Sequence, residues 1–154
     1  MNKPCVLFYR SPLGIIRLRA ENGALVSAAF VVDAGVDALC PVLTAAKDWL
    51  DRYFQGSDPG PIPPCAPQGT AFQKAVWNAL VSIPYGETVS YGALAERIGY
   101  PPRYARAVGG AVGKNPIALF CPCHRVLGKD GTLTGFAYGP DRKAALLKAE
   151  KHNL

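Results

Sequence analysis

Three short apolar-rich runs open the chain, at Cys5–Tyr9, Gly14–Ala20 and Ala24–Val32, and each reads as a β-strand. Asn22-Gly23 between the last two is a hairpin signal, because both residues tolerate positive φ. The pattern then turns helical. Leu43, Ala46, Leu50 and Phe54 fall broadly on one face of a helix expected over Leu39–Phe54, with Gly56 after its end. Residues 57–69 are rich in Pro and Gly and read as an extended linker. Beyond them Thr70 and Gln73 form a capping-box candidate. Phe72, Ala75, Val76, Ala79, Leu80 and Ile83 follow at helical spacing, and Pro84-Tyr85-Gly86 ends that helix. Ser90 can cap a second helix, with Tyr91, Leu94, Ala95 and Ile98 on one face and Gly99 as its stop. A third is expected from about Arg103 to Gly113. Asn115-Pro116 closes it, and Ile117–Cys121 follows as an apolar, strand-like buried run. Pro140 opens a last helix that runs to about Lys151.

The expected fold class is therefore α+β. A small N-terminal α/β domain (1–56, antiparallel sheet plus helix) is followed by the linker (57–69) and a mostly helical C-terminal domain (70–154). Two short helices joined by a tight turn suggest a helix-turn-helix. Gly109-Gly110 in the third helix costs roughly 1 kcal/mol per Gly relative to Ala, a cost that a close approach to another backbone would justify. Arg106, near the start of that helix, either reaches a phosphate or base stack or is an exposed, solvated side chain.

Composition narrows the function. Apolar residues make up 49% and charged residues 18% of 154 positions, a globular balance that argues against disorder. No apolar stretch approaches the roughly 20 residues of a bilayer span, and the first residues lack a signal-peptide core. Neither export nor membrane insertion is expected. Five cysteines, an odd number, fit a reduced compartment. The formal charge of +6 is unevenly placed: residues 1–69 are balanced, and the whole excess lies in residues 70–154, which are either a merely basic face or a polyanion-binding half.

The chemistry concentrates at Pro122-Cys123-His124-Arg125-Val126. A free thiol is only a few per cent ionised at neutral pH. His124 can take the Cys123 proton directly or through a water, the latter favoured if the segment is extended and the two side chains point to opposite sides. The alternative is a structural Cys beside an incidental His. Glu150 borders the inward face marked by Leu146 and Leu147, so it pairs either with His124 or with a surface Lys such as Lys143. The cysteine and histidine spacings match no zinc site, so neither a metal nor a cofactor is expected.

In Phe72-Gln73, Val76-Trp77, Ile83-Pro84, Ser90-Tyr91, Leu94-Ala95, Arg106-Ala107-Val108-Gly109, Asn115-Pro116, Pro122–Val126, Leu133–Phe136 and Leu146-Leu147 with Glu150, the chain resembles the O6-alkylguanine-DNA alkyltransferases, also called methylated-DNA–protein-cysteine methyltransferases. The resemblance is dense over residues 70–151 and loose over 1–56. It implies a ribonuclease-H-like N-terminal domain and a winged helix-turn-helix C-terminal domain. It implies a monomer acting on double-stranded DNA that carries O6-alkylguanine, mainly O6-methylguanine, with O4-methylthymine a further substrate. The nucleotide is flipped out and its alkyl group passes irreversibly to Cys123, in a single turnover. His124 takes the thiol proton through a water, Glu150 orients His124, and Asn115 joins the recognition helix to the active-site segment. Tyr91 contacts the base, unless it only packs in the core. Arg106 fills the gap in the duplex. Ser90, Ala107, Gly109, Gly110, Gly113 and Lys114 are the other expected DNA contacts, and Val126, Phe136, Ala137, Tyr138 and Ala118 line the base pocket with Tyr91. The location implied is cytoplasmic in a bacterium and nuclear in a eukaryote.

Some features depart from the family pattern. The stretch from Tyr91 to Arg106 is one residue longer, around Pro101–Tyr104. Tyr138 stands where some relatives have Gly, so large substituents such as benzyl are expected to be excluded. Zinc ligands of some relatives are unmatched beyond Cys5. Two other classes compete: a non-catalytic winged-helix binder of alkylated DNA, and a Cys–His hydrolase, which would need an oxyanion pocket and would turn over.

Overall fold

The computed structural model describes residues 4–133 and 136–150. Contacts divide the chain into two units, one running to Gln68 and including Pro116–Phe120, the other formed by Gly69–Asn115 and the chain from Cys121 onward. Among the described residues no helix is long and apolar enough to cross a membrane.

In the first unit β1 (Cys5–Ser11), β2 (Gly14–Glu21) and β3 (Ala24–Val31) form an antiparallel meander in that order. Asn22 and Gly23, at φ 52° and 77°, make the β2–β3 turn, as the Asn-Gly pair predicts. Alternate residues Ile16, Leu18 and Ala20 of β2 are fully buried, the period of a sheet with one covered face. The cover is α1 (Pro41–Phe54), which starts two residues later than the sequence pattern suggests because Cys40 is the cap and Pro41 the first helical residue. Trp49 of α1 stacks on Tyr53 at 5.5 Å and meets Phe120 at 4.6 Å.

Two expectations change here. Residues 57–68 are not a free linker. Trp49 Nε1 donates to the Gly60 carbonyl, and the β3 edge is met by Leu25 N donating to Pro64 O (2.8 Å) and Ala66 N donating to Leu25 O (2.7 Å). A Pro-rich segment suits this place, since an edge needs only some of its groups paired. Nor is Ile117–Cys121 a strand. Ile117 makes one parallel bridge to Ala28, after which Leu119, at φ 70°, turns the chain away. The run is nonetheless buried throughout, as its composition suggests.

The second unit contains α2 (Ala71–Val81), β4 (Val89–Ser90), α3 (Tyr91–Arg97), α4 (Ala105–Gly113), β5 (Val126–Leu127) and α5 (Pro140–Ala149). Its core gathers Val76, Trp77, Leu80, Leu94, Val108, Val112 and Val126. Trp77 Nε1 donates to the Ala111 carbonyl at 2.9 Å, so α2 and α4 are joined by a buried hydrogen bond as well as by packing. The helix expected from Arg103 begins as a 3-10 turn, Pro102–Tyr104, and becomes α-helical at Ala105. The parallel pairing of Val89 with Val126 and of Ser90 with Leu127 sets the start of α3 beside the Cys123 segment. The last helix ends at Ala149, with Glu150 as its C-cap; Lys151, and Thr134 and Gly135 of the resemblance, lie outside the described residues.

The capping box is present in full: Thr70 Oγ1 accepts from Gln73 N at 3.1 Å, and Gln73 Oε1 accepts from Thr70 N at 3.0 Å. Thr70→Ala removes one acceptor and should cost about 1 kcal/mol, whereas Thr70→Ser should cost only a few tenths. Urea unfolding of the two variants, read at constant m, checks this.

Candidate active site

Cys123, His124 and Arg125 form a single 3-10 turn, and all three side chains are buried. This corrects the expectation of an extended segment with alternating side chains. Pro122 precedes the turn, and Cys123 N bonds back to Cys121 O at 2.7 Å. A 3-10 turn has about three residues per turn, so the three side chains leave it in different directions, and all are nonetheless buried.

Glu150 is the partner of His124. His124 Nε2 lies 2.5 Å from Glu150 Oε2, and Arg125 Nε donates to Glu150 Oε1 at 2.8 Å. Gly86 N donates to the same Oε1 at 3.0 Å. A carboxylate only accepts, so Nε2 carries the imidazole proton and Nδ1 the lone pair. Burial alone would raise the Glu150 carboxyl, but His124 and Arg125 outweigh it and hold it down at about 2. Burial pushes His124 below its ordinary value, and Glu150 only partly offsets this, so the ring is neutral at pH 7.

Cys123 is a neutral thiol at rest. Burial raises its pKa, while a hydrogen bond from the Asn115 side chain and the charge of Lys143 pull the other way. Asn115 also donates to the Cys121 carbonyl at 2.8 Å, which ties the end of α4 to the segment entering the turn. Lys143 is buried in the inward face of α5, not at the surface as the alternative pairing for Glu150 supposed. Its Nζ lies 5.9 Å from the centre of the Tyr91 ring, and burial lowers its pKa to about 8 despite the opposing effect of Cys123. Tyr91 is half-buried, and burial and then Cys123 raise its pKa, which keeps it a phenol and a donor.

Cys123, His124, Glu150, Asn115 and Tyr91 are thus brought to one place, with Val126 buried next to the turn. Phe136 packs on the same core and meets Tyr138 edge-on at 5.6 Å, while Ala137 is exposed. Ala118 does not join this group: it sits in the core of the first unit, its amide bonded to Ala28 O. Ser90 caps α3 through Ala93 N. Arg106, Ala107, Gly110, Gly113 and Lys114 are exposed along α4. Gly109 lies in ordinary contact with the Tyr91 ring, where a Cβ would stand 3.6 Å away, so close packing does not demand glycine there. Cys121 is a core thiol directed at the Trp77 carbonyl, 3.9 Å away.

Two residues escaped the sequence reading. Arg125 was legible only as part of the Cys–His string, although it anchors Glu150, donates to Ile83 O at 2.8 Å and lies 5.9 Å from the Tyr85 ring centre. Lys143 had a signal: with Leu146, Leu147 and Glu150 it keeps one face of α5.

Fold and site together define a small α+β protein with a buried cysteine beside a histidine–carboxylate relay. Residues 71–152 match the family model for the 6-O-methylguanine DNA methyltransferase DNA-binding domain. The methylated-DNA–protein-cysteine methyltransferase of Haemophilus influenzae is 52% identical over 112 residues, 72% of this chain and 62% of that protein. The protein of the same name from Methanosarcina barkeri is 54% identical over 105 residues, 68% of this chain and 66% of that one. The alignments span less than two thirds of the length of these two relatives. The crystal structure of Mycobacterium tuberculosis OGT in complex with DNA superposes with a TM-score of 0.84 at 42% identity, covering 94% of this chain and 91% of that one. That of the M. tuberculosis O6-methylguanine methyltransferase gives 0.80 at 39% identity, with 97% and 93% covered. The chain belongs to the 6-O-methylguanine DNA methyltransferase family.

The site has a pH signature. Glu150 is held at about 2 against an ordinary 4.5, so its contribution to stability is full above pH 4.5 and fades as the pH falls to about 2. His124 acts in the same direction from its ordinary 6.5 downward, because the unfolded chain takes up a proton that the buried ring refuses. Glu150→Gln should cost about 3–5 kcal/mol at neutral pH, since it leaves Arg125 buried without its counter-charge. It should also flatten the acid limb of stability below pH 4.5. Denaturant unfolding across that range is the measurement, and an acid limb as steep as the wild type's contradicts the assignment.

Proposed function

We propose that this protein repairs DNA by moving the alkyl group of O6-alkylguanine, mainly O6-methylguanine, onto Sγ of its own Cys123. The observation that carries the reading is a buried thiol beside a neutral, carboxylate-anchored imidazole, in a chain of this family. The Cys123 proton leaves through a water to Nδ1 of His124, which Glu150 orients. Sulfur attacks the alkyl carbon, the S–C bond forms and the C–O6 bond breaks. Tyr91 donates a proton to the departing guanine and is reprotonated, so that in the net reaction the thiol proton ends on the base. The Lys143 ammonium lowers the cost of the transient thiolate. The product is a thioether with no route to hydrolysis, so each molecule acts once.

Stacking blocks in-line attack at O6, so the nucleotide is extruded at a few kcal/mol, less for a weakly paired damaged base. In this reading α3 and α4 are a helix-turn-helix and the loop after β5 its wing, with the N-terminal unit ribonuclease-H-like. Arg106 enters the duplex gap, Ala107, Gly110 and Gly113 let α4 lie close in a groove, and Lys114 at its end is a further DNA contact. Val126, Phe136, Ala137 and Tyr138 wall the base. O4-methylthymine is a secondary substrate. The protein acts as a monomer on duplex DNA, in the cytoplasm of a bacterium or the nucleus of a eukaryote.

Intact mass and peptide mapping after incubation with an O6-methylguanine duplex test the reaction. The wild type should gain one methyl per molecule, on the peptide holding Cys123, and Cys123→Ser should gain none. DNA binding without mass gain favours the non-catalytic binder, and repeated turnover a hydrolase.

Gly110 separates binding from stability. A Cβ there meets nothing within 4 Å, so Gly110→Ala should stabilise α4 by roughly 0.5–1 kcal/mol. The same methyl should weaken duplex binding severalfold if this face of α4 enters a groove. Unchanged affinity in a fluorescence titration would remove α4 from the interface.

A further inference from the structure

Among the cysteines that alkyl transfer leaves unused, two stand side by side in the first unit. Cys5 opens β1 and Cys40 caps α1, and their side chains are hydrogen-bonded to each other. The backbone is already fixed at this place. Val6 N donates to Ala38 O at 2.9 Å and Ala38 N to Val6 O at 2.8 Å, an antiparallel bridge on the outer edge of β1. Phe8 N donates to Asp37 Oδ1 at 2.9 Å. Leu43 N and Thr44 N both donate to Cys40 O, which pins the start of α1. Backbones bridged in this way run about 5 Å apart, within the roughly 4.4–6.8 Å between Cα atoms that a disulfide requires.

Capping does not account for Cys40. Its side chain makes no cap hydrogen bond with α1, although it occupies the position where Ser, Thr, Asp or Asn would make one. Cys5 and Cys40 are both half-buried, so a small oxidant reaches them, whereas Cys121 and Cys123 are buried. Cys65, also half-buried, directs its thiol at the Pro63 carbonyl, 3.3 Å away. Among the described residues no group of three His, Cys, Asp or Glu side chains could hold a metal ion, so the chemistry open to the pair is a bond between its own sulfurs. The hydrogen bond to Cys40, then burial and the charge of Cys40, raise the Cys5 pKa. Cys5 therefore holds its proton, and Cys40 is the sulfur that meets the oxidant.

We propose that Cys5 and Cys40 form an oxidant-responsive pair, closing to a disulfide that staples β1 to the start of α1. The oxidant is a peroxide. Hydrogen peroxide converts the Cys40 thiol to a sulfenic acid and leaves a water; the Cys5 sulfur then displaces the sulfenic oxygen as a second water, and the S–S bond forms. Two thiols and one peroxide thus give one disulfide and two waters, the sulfurs oxidised and the peroxide reduced. The crosslink encloses the whole β1–β2–β3 meander, and a disulfide stabilises more as the loop it closes lengthens. In a reducing compartment the pair rests as a dithiol, and thiol exchange reopens it. The staple lies within the first unit and does not depend on the alkyl-transfer reading.

The test exposes the whole chain to a graded series of hydrogen peroxide, followed by thiol blocking and peptide mapping without reductant. The Cys5 and Cys40 peptides should appear linked, two hydrogens lighter than their sum, at peroxide levels that leave Cys65 and Cys121 as thiols. Dithiothreitol should release them. The oxidised wild type should unfold several degrees above the reduced form, and Cys5→Ser and Cys40→Ser should each abolish that shift. With its resolving partner gone, Cys40 in the Cys5→Ser variant should advance to sulfinic acid, whereas Cys5 in the Cys40→Ser variant should keep its thiol at the same peroxide level. Sulfinic acids on both residues of the wild type without a linked peptide, linkage of either residue to another cysteine instead, or an oxidised wild type that unfolds no higher than the reduced form would each overturn the staple.

Discussion

The second unit is organised around one buried carboxylate. Glu150 takes hydrogen bonds from His124, Arg125 and the Gly86 amide. Those donors come from the 3-10 turn and from the turn between α2 and β4, and the acceptor caps α5. A carboxylate at a helix C-terminus faces the negative end of the helix dipole, and its burial removes hydration, so it persists only because its donors are in place. Arg125 spreads the constraint further, since it also donates to Ile83 O. Tyr85 closes the ring by donating to the Ala149 carbonyl at 3.3 Å. Three stretches distant in sequence are fixed by one charge, and Cys123 is placed because its neighbours are.

That arrangement sets the electrostatic character of the sulfur. A fully exposed thiolate would react with any electrophile; a buried thiol does not ionise unaided. Here burial raises the Cys123 pKa, and the opposing influences are an amide hydrogen bond and a lysine whose own charge is weakened by burial. The resting state is thiol, neutral imidazole and carboxylate. In the proposed reaction the proton leaves through a water to Nδ1 of the neutral ring, so the thiolate forms only transiently.

The helices were legible because their periodicity and caps agree: the Thr70–Gln73 box, Ser90 before α3 and Pro140 at the start of α5 are all observed. The Asn22-Gly23 hairpin was legible for the same reason. The Ile117–Cys121 run was not, because an apolar run records burial and not whether a strand partner is available. The Pro-rich segment misled similarly, since its composition reports backbone stiffness and not that the β3 edge needs carbonyl and amide partners. In the site, Glu150 was placed by its helical neighbours, but its choice of His124 over Lys143 was open on spacing. The 3-10 turn at Cys123 had no local signal, because Pro122 is compatible with either an extended or a turned entry.

Lys143 and Arg125 also show why net charge alone could not assign the basic half. Both count toward the +6 of the chain, yet both are buried, one facing Cys123 and the other neutralised by Glu150. Lys143 acts on the thiol and Arg125 on the scaffold around Glu150. The cations left to meet a polyanion are those at the surface, among them Arg103, Arg106, Lys114 and Lys129, which follow the 3-10 turn, the outer face of α4 and the turn after β5. Removal of a buried cation strands its partner and disturbs the site whether or not DNA is present, whereas removal of a surface cation leaves the internal pairing of the site intact. Charge in this half of the chain therefore has two separable physical roles, and burial, not sequence position, decides which one each residue has.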